Sequence, residues 1–181
     1  TRQPRFGFKS RGLGDVYKRQ DLEFVQRYWK DERFQSFYPP GRLSPQHCIE
    51  VHEDALTKMN SYPWPTFHWI IEAEGDPVGR YRASLSQRRN TGSIGYELSP
   101  DHWGQGYALA ATQLVMKYLF EERRLHAVHA WVYGNNDRSK NLLTKAGFTL
   151  DGSMRDKCPW GDSRVDDLIF GQLRREWLAK P

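Results

Sequence analysis

LSPDHWGQGYALAA, residues 98–111, joins a strand-like run to a helix-like one through a glycine-bearing turn. Ile94, Gly95, Tyr96, Glu97 and Leu98 lead in, and Ser99-Pro100-Asp101 makes the turn. After the glycine pair Gly104/Gly106, alanines and leucines from Tyr107 onward favour a helix. Glycine has no Cβ, so backbone can approach a ligand closely there. The first N–H groups of a helix lack internal partners and sit at the positive end of its dipole. Together these predict a turn that holds a phosphate or pyrophosphate, and hence a nucleotide-like cofactor. The string is not the dinucleotide fingerprint, whose third glycine is missing, nor a P-loop, since no GxxxxGK[ST] occurs.

Outward from this turn, the chain reads as strands interleaved with helices. Helices are expected over about 21–37 and 44–59, and strands over about 66–73, 77–86 and 93–98. The helix after the glycines should run over 107–122, with Leu109, Ala111, Leu114, Val115, Tyr118 and Leu119 as its apolar face. AVHAWVY, residues 127–133, alternates like a half-buried strand. Asn136 is a good N-cap and Gly147 a good C′ residue, which places a helix at about 138–146. Two closing strands follow at about 149–157 and 164–174. The expected class is α/β (α+β).

Three motifs in this order carry a family resemblance. Trp103-Gly104-Gln105-Gly106-Tyr107-Ala108 resembles the acetyl-CoA pyrophosphate loop of the GNAT acetyltransferases, Q/R-x-x-G-x-G/A, with Trp in the first place. The WGQGY string looks like the RimJ/RimL-like branch, which acetylates ribosomal-protein N-termini. Asn136, Ser139, Leu143, Lys145, Gly147 and Phe148 match that branch's N-x-x-S…L-x-K-x-G-F. Asp166, Phe170, Leu173, Glu176 and Trp177 match its D-x-x-x-[FY]-x-x-L-x-x-E-W ending. The resemblance covers residues 21–178. It implies the GNAT fold, a central mixed and mostly antiparallel twisted sheet, splayed at the cofactor site and flanked by helices. It also implies acetyl-CoA, bound by Leu98, Trp103, Gly104, Gln105, Gly106, Tyr107, Ala108, Asn136 and Ser139. The implied reaction is direct attack of an amine within a ternary complex, without an acyl-enzyme.

The chain's 181 residues suit one domain with a real core. No apolar run approaches the 18 residues of a membrane helix. Two cysteines, Cys48 and Cys158, make no disulfide framework and suit a reducing cytoplasm. The scattered histidines give no zinc spacing, so no metal is expected. The net charge of +5 lies wholly in residues 1–20, where Arg2, Arg5, Lys9, Arg11, Lys18 and Arg19 face only Asp15. The remainder balances, which argues against nucleic acid as a partner. Family members carry a pattern like LRPL shortly before the DLE string; here Gly12 to Gln20 precede Asp21-Leu22-Glu23 instead. Residues 1–20 are therefore expected to be a non-family segment, a translated adapter or cloning scar or else a basic arm, replacing part of a first strand. The acetyltransferase domain is expected over 21–181, as a monomer or homodimer.

Acetyl transfer needs a neutral amine, a polarised thioester carbonyl and a protonated leaving thiol. A terminal amine titrates near 8 and a lysine near 10.4, so a base helps the first and matters more for the second. Glu97, on the inner strand, is the first candidate base, its other reading being a salt-bridge partner. Asp101 and His102 are alternatives in the turn. Backbone N–H groups near Leu98 would polarise the carbonyl. The family's acid, a tyrosine after the fifth strand, is replaced by Leu143, so Ser139 is the candidate donor to sulfur, or else a helix-start hydrogen-bonder. Asn136 would bond the pantetheine arm or serve as N-cap only. Ala110 stands where many relatives have glutamate.

For the acceptor, Trp29, Tyr38, Trp64, Trp160 and Asp162 are the expected wall, from the aromatic-rich first half and the Cys158–Asp162 loop. Asp166 and Asp167 could draw a cationic amine too. The acceptor is expected to be a protein N-terminal amine. The alternatives are a small amine (polyamine, amino acid or aminoglycoside) or a non-catalytic acyl-CoA-binding module. A narrow acidic pocket would favour small polycations, an open groove a peptide.

Overall fold

The computed structural model describes residues 18–59 and 66–179. The expected damaged first strand falls mostly outside these, as does Trp64. Three helices come first: α1 (Leu22–Trp29), α2 (Glu32–Gln35) and α3 (Pro45–Met59). The expected single helix over 21–37 is broken because Asp31 leaves the helical region at ψ 123 and its side chain caps the next turn, accepting from Arg33 N–H. Then follow β1 (Thr66–Ala73), β2 (Asp76–Ser86), β3 (Thr91–Leu98), α4 (Tyr107–Lys117), β4 (Ala127–Tyr133), α5 (Asp137–Ala146), β5 (Thr149–Trp160), β6 (Ser163–Leu173) and α6 (Arg174–Leu178).

The six strands form one sheet in the order β1-β2-β3-β4-β6-β5. All neighbours are antiparallel except β3 and β4. That parallel pair runs only from Thr91↔Ala127 to Ile94↔Ala130. Both strands continue, β3 to Leu98 and β4 to Tyr133, without pairing to each other. The sheet therefore splays from Gly95 onward.

Side-chain alternation along β3 decides what each face of the splay receives. α4 packs on one face, where Phe67, Ile71, Tyr81, Ala83, Ile94, Ala111, Val115 and Leu119 share a core. α1 and α3 pack on the other through Val25, Tyr28, Trp29, Cys48 and Ala55, with Ile70 against them. The buried stripe of α4 is Ala108, Ala111, Thr112, Val115 and Met116. This corrects the expected apolar face at one position: Leu114 is exposed, whereas Leu109 packs against the core and also lines a cavity at the helix start. Thr112 takes a core place because its hydroxyl is satisfied, donating to Ala108 O at 2.8 Å and accepting from Tyr81 at 3.2 Å. The last turn, Tyr118–Glu122, winds as a π-helix, which rotates the register and buries both Leu119 and Phe120.

Candidate active site

The turn quoted at the outset has the expected shape. Gly104 sits at φ +76 and Gly106 at φ +83, and a Cβ added at either would meet nothing within 4 Å. The left-handed backbone accounts for glycine at both positions, and the space over them is open. Gly106 is the N-cap of α4, so the helix's first N–H groups face that space. A cavity of about 430 Å³ opens there, lined by Leu98, Trp103, Gly104, Gly106, Tyr107, Ala108, Asn136 and Ser139 among others. Gln105 is not among its lining residues; its side chain donates to Asp101 O. Trp103 is fixed by its indole N–H on Leu98 O at 3.0 Å, edge-on to Phe37, with the Arg138 guanidinium over its ring. Arg138 and Lys145 bring two cations to this cavity; Lys145 belongs to the quoted motif, whereas no motif had marked Arg138.

A second cavity, of about 500 Å³, lies on the α3 side of the sheet. Trp29, Tyr38, Arg42, Arg80, Arg82 and Trp131 are among its walls. Tyr38, Tyr96, Glu97, Asn136 and Ser139 line both cavities, so the two meet at the splay. The Ser99 N–H donates to Val78 O, so the odd-numbered residues of β3 bond to β2. By antiparallel alternation, Tyr96 and Leu98 turn their backbone groups the other way, toward the gap between β3 and β4.

Glu97 is nearly enclosed. Its Oε2 accepts from Tyr28 Oη (2.9 Å), Trp29 Nε1 (2.9 Å) and Arg80 Nε (2.8 Å). Its Oε1 accepts from Arg80 Nη2 at 2.8 Å and from Tyr38 Oη at 3.5 Å. Burial pushes this carboxyl up, but the charge and hydrogen bonds of Arg80, with the Trp29 and Tyr28 donors, outweigh it and the group titrates below its ordinary value. Glu97 is thus Arg80's ion-pair partner, as the second of its readings has it, and it lines both cavities. Asp101 is exposed and bonded to Arg33 at 2.7 Å, while His102 lines the first cavity.

Asn136 and Ser139 make the helix-start bond that their structural readings expect. Asn136 Oδ1 accepts from Ser139 N–H at 3.0 Å, the N-cap of α5. The Ser139 hydroxyl is 2.8 Å from Tyr96 Oη, and burial holds that phenol protonated well above its usual range. The Tyr96–Ser139 contact was invisible in the sequence, because 43 residues separate the two.

Trp160, expected in the acceptor wall, is not among the lining residues of either cavity; it packs edge-on against Tyr133, and Tyr133 against Tyr38, a ring path ending beside Glu97. Asp162 is exposed at the β5–β6 turn, next to Gly161, which comes within reach of Pro40. Asp166 is occupied by Ser153 and the Asp156 N–H, and Asp167 by Lys157 at 2.7 Å. Both carboxylates thus have partners within the β5–β6 hairpin.

The acetyltransferase (GNAT) domain family matches residues 15–149. An uncharacterized N-acetyltransferase, p20 of Bacillus licheniformis, is 24% identical over 165 residues, 88% of this chain and 91% of its own. A putative ribosomal N-acetyltransferase of Bacillus subtilis, YdaF, is 29% identical over 94 residues, about half of each chain (52% and 51%). Among solved structures, a spermidine N-acetyltransferase from Vibrio cholerae, in complex with CoA and spermine, superposes with a TM-score of 0.74 at 18% identity, covering 90% of this chain and 95% of that one. A sheet splayed beside a glycine turn and a helix N-terminus is the architecture of an acyl-CoA-dependent transferase. The chain belongs to the GNAT acetyltransferase family, an N-acetyltransferase family whose acetyl donor is acetyl-CoA.

Proposed function

We propose that this enzyme transfers acetyl from acetyl-CoA to a primary α-amine, the first choice being a protein N-terminus, by direct attack at the splay between β3 and β4. One observation carries the reading: two cavities on opposite faces of β3 meet at Tyr38, Tyr96, Glu97, Asn136 and Ser139. The donor cavity fits the pyrophosphate and pantetheine of acetyl-CoA. Open space over Gly104 and Gly106, the α4 N-terminus, and the cations Arg138 and Lys145 suit the first; Asn136 suits the second. When bound, that molecule supplies an activated acetyl thioester.

The remaining work falls to residues of this chain. Glu97 holds the incoming amine, or a water that takes its proton, at Oε1, the oxygen with one close donor rather than three. A carboxylate held below its ordinary pKa is a weak base but a good anchor for an ammonium about to lose a proton. An α-amine near pKa 8 reaches the neutral form in water readily enough for that. The N–H groups of Tyr96 and Leu98, turned into the gap, are placed to bond developing negative charge. Ser139, backed by the Tyr96 phenol, is the proton donor to the departing sulfur.

The half-length likeness to a putative ribosomal N-acetyltransferase supports the terminal-amine choice. The second reading, a small amine, draws on the spermidine enzyme with the same fold and on the walled, roughly 500 Å³ acceptor cavity. The test is thiol release from acetyl-CoA against Ala- and Ser-starting peptides, free amino acids and spermidine. Release with a peptide and not with the small amines supports the first reading, and the reverse supports the second. No release with any amine, while acetyl-CoA still raises Tm, removes both.

A further inference from the structure

The α3-side cavity carries an excess of positive charge that an acceptor amine alone does not explain. Four basic side chains line it: Arg42, Lys58, Arg80 and Arg82. Among the described residues only two carboxylates do, and both are engaged, Asp54 by Lys58 at 2.9 Å and Glu97 by Arg80 at 2.8 Å. Arg42 and Arg82 have no ion pair among the described residues, and both are exposed to the cavity's solvent. His47 and His68 are the remaining titratable imidazoles on its walls. His68 is held neutral by burial and by the neighbouring arginines, so it adds no charge near neutrality.

The backbone aims one of the two free guanidinium groups. Arg82 lies opposite Gly95 in the β2–β3 register, and its Nη2 and Nε are 3.8 and 3.9 Å from where a Gly95 Cβ would stand. Glycine at 95 thus leaves the guanidinium lying across β3, at the residue where the splay begins. Arg42 enters from the segment between α2 and α3, beside Tyr133. The amine anchor, Glu97, stands two residues along β3 from Gly95.

Accepting the α3-side cavity as the acceptor site, we infer that its substrate carries an oxyanion, a carboxylate or phosphate, close to the amine, held by Arg82 and Arg42 while Glu97 holds the nitrogen. Guanidinium forks match planar carboxylate and tetrahedral phosphate oxygens. A polyamine would bring two or more positive charges to a wall already cationic and find no spare carboxylate. A free amino acid, an aminoalkyl phosphate and a peptide with an acidic second residue all present the shared chemistry.

The test is kcat/KM at saturating acetyl-CoA for matched pairs that differ only in the anion. These are an amino acid against its amide, 2-aminoethyl phosphate against ethanolamine, and a Ser-Asp-starting peptide against a Ser-Lys-starting one; spermidine is run alongside. The anionic member of at least one pair should win by on the order of ten- to a hundredfold, mostly in KM, and the winning pair identifies the source. Arg82→Gln should collapse that ratio while the Kd for acetyl-CoA, by calorimetry, stays within twofold. Arg42→Gln is the second variant should Arg82→Gln fail to fold. Equal rates within every pair, a spermidine rate above all of them, or an unchanged ratio in both variants would overturn the inference and leave the acetyltransferase reading standing. Silence with every amine would instead overturn the acceptor-site reading, and this inference with it.

Discussion

Replacing Glu97 by glutamine tests whether the centre of the site is a structural anion as well as a chemical one. The carboxylate receives four close donors, three on Oε2 and one on Oε1. An amide has one acceptor oxygen and one donor nitrogen. Its best orientation keeps the oxygen toward Tyr28, Trp29 and Arg80 Nε, and turns the NH2 against Arg80 Nη2. One charge-assisted bond becomes a repulsion, and the Arg80 side chain, 10% exposed, loses its counter-charge. Breaking one side of such a buried pair typically costs about 3–5 kcal/mol. For a chain of this size each kcal/mol lowers Tm by roughly 2–4 °C, so Glu97→Gln should melt about 6–20 °C lower. In a double-mutant cycle, Arg80→Gln should cost much less in the Glu97→Gln background than alone, giving a coupling energy above about 1 kcal/mol. Since Glu97 titrates below its ordinary value, log kcat/KM should rise with the neutral fraction of the amine and show no limb from this carboxylate between about pH 5 and 8. A Glu97→Gln protein with unchanged Tm, no coupling to Arg80 and a lost pH limb near neutrality would refute the reasoning. It would make Glu97 a free base of raised pKa.

Further outcomes follow from the same geometry. Gly106→Ala places a Cβ on backbone at φ +83, so it should cost about 1–2 kcal/mol by denaturant titration and raise the Kd for acetyl-CoA, as the methyl intrudes on the space over α4. Asn136→Ala removes the α5 N-cap bond to Ser139 N–H and should destabilise by about 1 kcal/mol, while Asn136→Asp restores most of it in the same titration. Ser139→Ala should lower kcat with little change in the acetyl-CoA KM, and Tyr96→Phe should lower it less, because the serine stays in place; equal kcat in both variants and wild type would exclude the proton-donor role. His68 is pushed down to about 3, so between roughly pH 6.5 and 3 the unfolded chain binds the proton that the folded one refuses. Stability therefore falls as pH drops through that window, by at most about 1.4 kcal/mol per pH unit, and His68→Gln should flatten the slope in urea titrations at pH 6 and 4.

The parts of the fold written in contiguous sequence were the legible ones. β4 occupies residues 127–133 as its alternation predicts, and α5 is bounded by the cap Asn136 and by Gly147 at φ +92, as those residue types imply. The glycine turn was legible because positive φ and open space both demand glycine. What escaped needed register or rotation. Arg80 faces Glu97 only because β2 and β3 pair with that offset, and nothing local in either strand states it. The Tyr96–Ser139 contact depends on where α5 lands beside β3. Asp31 was a readable N-cap, but the apolar spacing of Val25, Tyr28, Trp29 and Phe34 concealed the break it makes. On α4 the apolar count favoured Leu114, whereas packing against the sheet takes the smaller Ala108 and Thr112 beside the expected Ala111, which allow close approach.

The meeting of the two cavities at five shared residues bears on the kinetics of the whole cycle. The first cavity takes much of its lining from α4 and α5, and the second from α3 and β2, so on the proposed reading each ligand has walls the other does not touch. Such a layout permits random-order addition, with each product competing only with the substrate whose cavity it occupies. It also sets a rule for inhibitors. A conjugate of coenzyme A and an amine would have to span both cavities past Glu97 and Ser139. It should therefore associate slowly, and once seated it should leave slowly as well.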